Sequence, residues 1–368
     1  MIDARLKKLA ALLIDHSLKI KKNDLFLITG SHYAAPLIKE VYKQAIVKGA
    51  HPFIRIGLDG LAETYYKFAT TNQLKFVSPI SRFEIEQIDA KLGIISPENT
   101  KSMTNIDPKK QVIASVANKE IHEIFLKRAA KKNLRWCLTQ FPTNAAAQDA
   151  EMSLEEYENF IFKAAHVDNR NPLEYWKKMY REQEKIRKLL TSKKRLHILA
   201  KDTDLELSVT QRKWINCYGK ENFPDGEVFT GPIENSAEGY ISYSFPASHG
   251  GRTVNDIQLW FSKGKVTKAR ASKGEKFLTS MIKMDQGSNR IGEFAFGLNY
   301  GIIKYTLNTL FDEKIGGTIH IALGSGYPES GSKNKSSLHW DMMCDLRKDG
   351  EVYADNELIY KNGKFTKI

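Results

Sequence analysis

The segment His320–Asp341, reading HIALGSGYPESGSKNKSSLHWD, gathers His320, Tyr327, His339 and Asp341 into one short stretch rich in Gly and Ser. Imidazole nitrogen, phenol oxygen and carboxylate are the donors that hold a divalent ion such as zinc, manganese or cobalt. Two glutamates elsewhere have matching chemistry. Glu227 lies in NFPDGEVFTGP, after a turn at Pro224 and Gly226, and Glu293 lies in NRIGEFAFGLN, directly after Gly292 and among apolar residues. A carboxylate with apolar neighbours is costly to bury unless it is paired or bound to a metal. Glu227, Glu293, His320, Tyr327, His339 and Asp341 together suffice for two divalent ions with a shared carboxylate, an arrangement that recurs in hydrolases. Each residue also has a plainer reading. A lone strand histidine can be a hydrogen-bonded core residue, Tyr327 can cap its loop, and Glu227 can cap a turn.

Positioning these groups requires strands. GTIHIALG reads as a strand that delivers His320 into a loop containing Gly324, Gly326, Pro328 and Gly331. HWD begins another, and places His339 and Asp341 on one side because strand side chains repeat every two residues. Around them, LHILAKDTDLELSV, WINCYG, GYISYSFPAS and TVNDIQLWFSKGKVTKARA are strand-like runs broken by Gly, Asn, Asp and Pro. Lys263–Lys265 (KGK) reads as a hairpin turn. Helical patterns are confined to Lys276–Met284 and Asn299–Leu310. This half, 193–368, is expected to be an α+β, β-rich antiparallel domain, a partly closed barrel in its simplest form.

The first half has a different rhythm. An amphipathic first helix precedes DLFLITG, a continuous apolar run of the kind buried parallel strands show. A helix through Pro36–Lys48, the strand HPFIRIG, further apolar runs at Lys91–Ser96 and Gln111–Val116, a helix at Lys119–Lys132 and the strand LRWCLTQ continue the alternation. The expectation is an α/β domain with a mostly parallel sheet. The turn after the first strand, GSHYAAP, lacks the glycines of a dinucleotide fingerprint, and no phosphate-binding loop follows any strand. Ser153 and Glu156 form a capping-box pattern. Pro172 then opens a long charged helix that reads as the connector, with the boundary near Ser192 and a first domain of 1–192.

Composition narrows the function. The chain has 368 residues and 42% hydrophobic residues, enough for two cores, and its 27% charged residues are of mixed sign. No apolar run reaches the roughly 20 residues of a membrane span. The N-terminal stretch is interrupted by charges and has no cleavage site, so a cytoplasmic protein is expected. Cys137, Cys217 and Cys344 are too scattered for a disulfide framework or a thiolate zinc site. The net charge of +13 is spread over several Lys-rich clusters without interleaved aromatics, which reads as a solvated surface and not a nucleic-acid interface.

NFPDGEVFTGP, RIGEFAFGLN, DEKIGGTIHIALGSGYPESG and SSLHWD, in that order, resemble the signature segments of the M29 family of metallo-aminopeptidases, the thermophilic aminopeptidase T/S group. The resemblance extends to Arg135–Phe160 and so to most of the chain. It implies two divalent ions (Zn, Co, Mg or Mn) held by Glu227, Glu293, His320, Tyr327, His339 and Asp341, with Glu293 bridging. Glu293 and Tyr327 are the residues expected to serve catalysis as well. It further implies hydrolysis of the N-terminal residue of peptides through a metal-activated water, and a homodimer. Glu234 is a second candidate base, and Asp312 and Asp345 are candidates for orienting the histidines. The alternatives are a metallo-hydrolase of another amide or ester, or a metal-stabilised basic domain that binds nucleic acid.

Overall fold

The computed structural model describes residues 3–367, and these divide into two compact units. One comprises residues up to Leu173 together with Gly219–Pro224; the other comprises Glu174–Tyr218 and the chain from Asp225 onward.

The first unit is the expected α/β structure. Its sheet has five parallel strands in the spatial order His51–Gly57, Leu25–Ser31, Ala90–Ile95, Arg135–Gln140 and Asn222–Phe223. Phe26, Leu27 and Ile28 are successive and all buried, which is possible only for a strand covered on both faces. The first helix runs over Ala4–Ala11 and continues as a wider helical turn to Ser17; Met1 and Ile2 lie outside the described residues. The apolar run at Gln111–Val116 is a correction to the strand-like reading: it lies inside the helix Pro108–Ala117. Asp107 caps that helix through the Lys109 N–H at 2.9 Å, and Pro108 occupies the first turn, so the helix start signal outweighs the short apolar run. The capping box is present, with Ser153 and Glu156 exchanging bonds of 3.2 and 2.7 Å at the start of Leu154–Ala164.

The long helix Pro172–Thr191 buries Trp176, Met179, Gln183, Ile186 and Leu190, a single face by their three- and four-residue spacing. The rest of the second unit is antiparallel. Eight strands form one sheet, five form another, and Ala247–His249 pairs with Arg252–Val254 as a small third, so separate sheets replace the expected partly closed barrel. The Gln258–Ser262 and Lys265–Arg270 strands join through Lys263 and Gly264, both at positive φ (49° and 72°), as a two-residue hairpin requires. Glu275–Ile282 is helical as expected. Asn299–Leu310 is not: it forms turns, and only Thr309–Asp312 closes a helical turn. Asn299 diverts that stretch by accepting from the Gly301 N–H at 3.0 Å and donating to the Asp225 carbonyl at 2.8 Å.

The five-stranded sheet runs His339–Asp345, Thr318–Gly324, Ile291–Gly297, Glu227–Thr230, Ile215–Cys217, each pair antiparallel. Val228, Phe294, Phe296, Ile319, Ile321, Leu323, Trp340, Met342 and Cys344 join Leu196, Ile198, Leu205, Ile241 and Leu259 of the eight-stranded sheet in one apolar core. Strand alternation therefore turns Glu227, Glu293, His320, His339 and Asp341 to the opposite face.

Candidate metal centre

A bulge gives Glu293 its direction. The register slips between Ile291 and Glu293, so Ile291 faces the core and Glu293, only two residues on, faces the other way. Gly292 is the inserted residue, and a Cβ there would stand 2.3 Å from the Gly324 carbonyl oxygen. Ala322 pairs with Glu293 on one side and Asp341 on the other, and its methyl leaves space between the two carboxylates. Glu227 pairs with Gly297, where a Cβ would meet the Ile315 carbonyl oxygen at 2.3 Å. Small residues thus hold the strands at the spacing that lets the long polar side chains meet.

Five of the six residues singled out by sequence converge tightly. His320 Nε2 lies 3.6 Å from Glu293 Oε1, 3.8 Å from Glu227 Oε2 and 4.0 Å from Asp341 Oδ1. His339 Nε2 lies 3.4 Å from Glu293 Oε2 and 3.5 Å from Asp341 Oδ1. The Tyr327 ring packs at 5.3 Å from both His339 and Phe229 and is half exposed, which puts it at the rim. Both imidazoles are oriented through Nδ1: His320 against the Glu313 carbonyl at 2.9 Å, His339 against the Ser325 carbonyl at 2.8 Å. A carbonyl only accepts, so Nδ1 carries a proton and Nε2 is the ring nitrogen turned toward the carboxylates, the atom a metal would take.

Those carbonyls correct the expectation for Asp312 and Asp345. Asp312 instead accepts from the Thr306 N–H and hydroxyl at 2.8 and 2.9 Å, and Asp345 pairs with Arg347. Glu234 is also committed elsewhere, to Arg212 at 2.7 Å and the Lys333 N–H at 2.6 Å.

Three residues escaped the sequence reading. Glu313 places a carboxylate oxygen within 4.8 Å of ligand atoms of His320 and Asp341, a second three-residue group beside Glu293, His339 and Asp341. Lys314 is fully buried and its ammonium contacts the Glu313 carboxylate. Gln183, on the long helix, donates through Nε2 to the Cys217 carbonyl at 2.9 Å and the Glu227 carbonyl at 2.8 Å, fixing the strand that bears Glu227. The charged triplet Asp312–Glu313–Lys314 immediately before a fully buried strand is the signal that marks the first two. Gln183 carries none, because a helix–strand contact 44 residues apart has no local pattern.

Electrostatically the cluster calls for cations. Among the described residues Glu227 Oε2 and Asp341 Oδ1 are buried with no hydrogen-bond donor, an arrangement that is costly for a carboxylate without a positive partner. Burial pushes Glu227 well above the ordinary carboxylate value and raises Glu313, despite the opposing pull of Lys314 and His320 on both. Burial alone would lower both histidines, but Glu293, Glu227 and Asp341 hold His320 up at about 10, and Asp341 and Glu293 hold His339 up at about 10. Burial opposes ionisation of Asp341 as well, but His339, His320 and Lys314 keep it below its ordinary value. Tyr327 is held up by desolvation and the surrounding carboxylates. Protons thus occupy the nitrogens that a metal would take, and the donor set, its spacing and its undonated oxygens fit divalent ions.

A dense, mostly buried cluster of carboxylates and imidazoles on one face of an antiparallel sheet is a donor set of the kind that holds divalent ions. The model of the family "Thermophilic metalloprotease (M29)" matches residues 2–365, and the chain belongs to that family. Aminopeptidase AmpS of Bacillus subtilis is 26% identical to it over 98% of this chain and 98% of its own length. Aminopeptidase T of Thermus thermophilus is 26% identical over 99% of this chain and 96% of its own. The solved structure of wild-type AmpT from Thermus thermophilus shares the fold, with a TM-score of 0.86 at 24% identity, covering 98% of this chain and 99% of that one.

Proposed function

We propose that this metalloprotease is an aminopeptidase that removes the N-terminal residue of peptides, with its chemistry in the β-rich part, 193–368. The observation that carries the reading is the convergence of Glu227, Glu293, His320, His339 and Asp341 on one sheet face, with two buried carboxylate oxygens lacking donors. The names of the related aminopeptidases support the choice of substrate end.

Glu293, His339 and Asp341 would hold one divalent ion, and Glu227, His320 and Glu313 would contribute to a second, with Glu293 and Asp341 within reach of both. When bound, such ions polarise a scissile carbonyl and lower the pKa of water toward neutrality. Glu293 lies between both imidazoles and is the carboxylate suited to accept the proton of the attacking water and return it to the leaving amine. Tyr327, half exposed beside His339, would act as a ligand or meet the substrate as it enters. A free α-amino group of the substrate would bind beside one of the ions or its carboxylates, which would confine cleavage to chain ends. Zinc, cobalt, magnesium and manganese all suit an N/O donor set.

Among the described residues no helix is long and apolar enough to cross a membrane; a cytoplasmic location is part of the proposal. A homodimer is part of the same reading. It is supported by the exposed apolar residues Ile54 and Ile56 on the edge strand of the first unit, and Leu61, Phe68 and Phe83 on the helices after it.

The test is release of p-nitroaniline from leucine-p-nitroanilide before and after EDTA, with Co²⁺, Zn²⁺ or Mg²⁺ restored. Activity should vanish with chelation and return with metal, and Glu293→Gln should abolish turnover while leaving the fold intact. Turnover indifferent to chelation, or none with any metal, would sink the proposal.

A further inference from the structure

The ligand-competent atoms are not evenly supplied with charge. Glu293, His339 and Asp341 face one another, and among the described residues Lys314 reaches them as a field on Asp341 and not as an ion-pair contact. On the other side stands Lys314. Its side chain is wholly buried, its ammonium bonds the Glu313 carboxylate, and the negative charges of Glu227 and Asp225 act on it as well. The backbone anchors it there: its N–H donates to the Phe311 carbonyl and its carbonyl accepts from the Asn299 N–H, both at 3.0 Å. A buried ammonium is tolerated only where carboxylates surround it. It is a cation that cannot dissociate, and its bond to Glu313 uses a lone pair that a metal would otherwise take.

We propose that Lys314 is the resident cation of the Glu227–Glu313 side of the centre, so that the chain holds one divalent ion tightly and a second one weakly. The tight ion belongs to Glu293, His339 and Asp341. The weak one has to share Glu227, Glu313 and His320 with a buried ammonium that repels it through a water-poor interior. Lys314 is thus a positioning residue that sets the order and strength of metal loading. This inference rests on the metal-centre reading above.

The experiment is a titration of the metal-stripped full-length protein with Co²⁺, followed by equilibrium dialysis with metal analysis and by the d–d absorption of bound cobalt. The wild-type chain should take up one Co²⁺ per chain, and the second only at tenfold or more higher free Co²⁺. Lys314→Met, checked for folding by circular dichroism, should bring the two affinities to within about threefold of each other. Two ions of equal affinity in the wild type overturn the inference while leaving the aminopeptidase reading standing, as does an unchanged loading pattern in a folded Lys314→Met variant. If that variant does not fold, the wild-type titration decides alone. Absence of any bound Co²⁺ overturns both the inference and the metal centre beneath it.

Discussion

Gln183 links the long helix to the site strand through two bonds, and Gln183→Leu removes both while keeping the side chain's volume. The carbonyls it satisfies belong to Cys217 and Glu227, at 2.9 and 2.8 Å, and Gln183 itself is only 2% exposed, so water does not replace it. The Glu227 carbonyl is buried and the Cys217 carbonyl half-buried; each lost bond costs about 1–2 kcal/mol, so the pair costs about 2–4 kcal/mol. The buried Gln183 Oε1 has no donor of its own, and deleting it returns a part of that cost, which favours the lower end. Because a large multi-part chain need not unfold in one step, a local readout is better than a melting temperature. Hydrogen–deuterium exchange of peptides spanning Ile215–Cys217 and Glu227–Thr230 should accelerate by roughly thirtyfold to several hundredfold. The strands of the N-terminal sheet, such as Ala90–Ile95, should exchange as before. Leucine-p-nitroanilide turnover should fall along with it, because Glu227 rides on the loosened strand. Unchanged exchange across Glu227–Thr230 would refute the claim that the helix holds this strand in place.

Three further outcomes follow from the same geometry. Ala322→Leu puts a branched side chain between Glu293 and Asp341, so the variant should retain its secondary structure by circular dichroism yet lose at least tenfold in Co²⁺ affinity; undiminished binding would show that the space between those carboxylates is not the ion's. Acidification should weaken metal binding: His320 and His339, raised to about 10 without an ion, carry protons at neutral pH that must leave before Nε2 can coordinate. Affinity should therefore rise with pH from about 6 to about 9, and calorimetry in buffers of different ionisation enthalpy should register released protons; pH-independent binding contradicts this. Light scattering coupled to size exclusion should give twice the chain mass of 41.9 kDa, and Ile54→Lys with Ile56→Lys should shift it toward the monomer, whereas a monomeric wild type removes the homodimer.

The sequence by itself determined what was local. Continuous apolar runs specified the parallel strands, the Ser153–Glu156 box set a helix start, and the two-residue period put His339 beside Asp341. Glu227 and Glu293 were legible because a carboxylate among apolar residues is anomalous wherever the chain goes. Local pattern failed where a competing local signal or a distant partner decided. Asp107 and Pro108 made a helix of Gln111–Val116, and Asn299 broke the helical pattern after it. Only the tertiary structure decided which groups serve the histidines, because the carbonyls of Glu313 and Ser325 reach Nδ1 through strand register and carry no side-chain signature. Register likewise brings Ala322 between two carboxylates, and the bulge at Gly292 turns Glu293 off the core. Lys314 is the sharpest case. In sequence it is one more lysine in a basic chain, and it becomes part of the centre only because the fold buries its ammonium among the carboxylates of Glu227, Glu313 and Asp225.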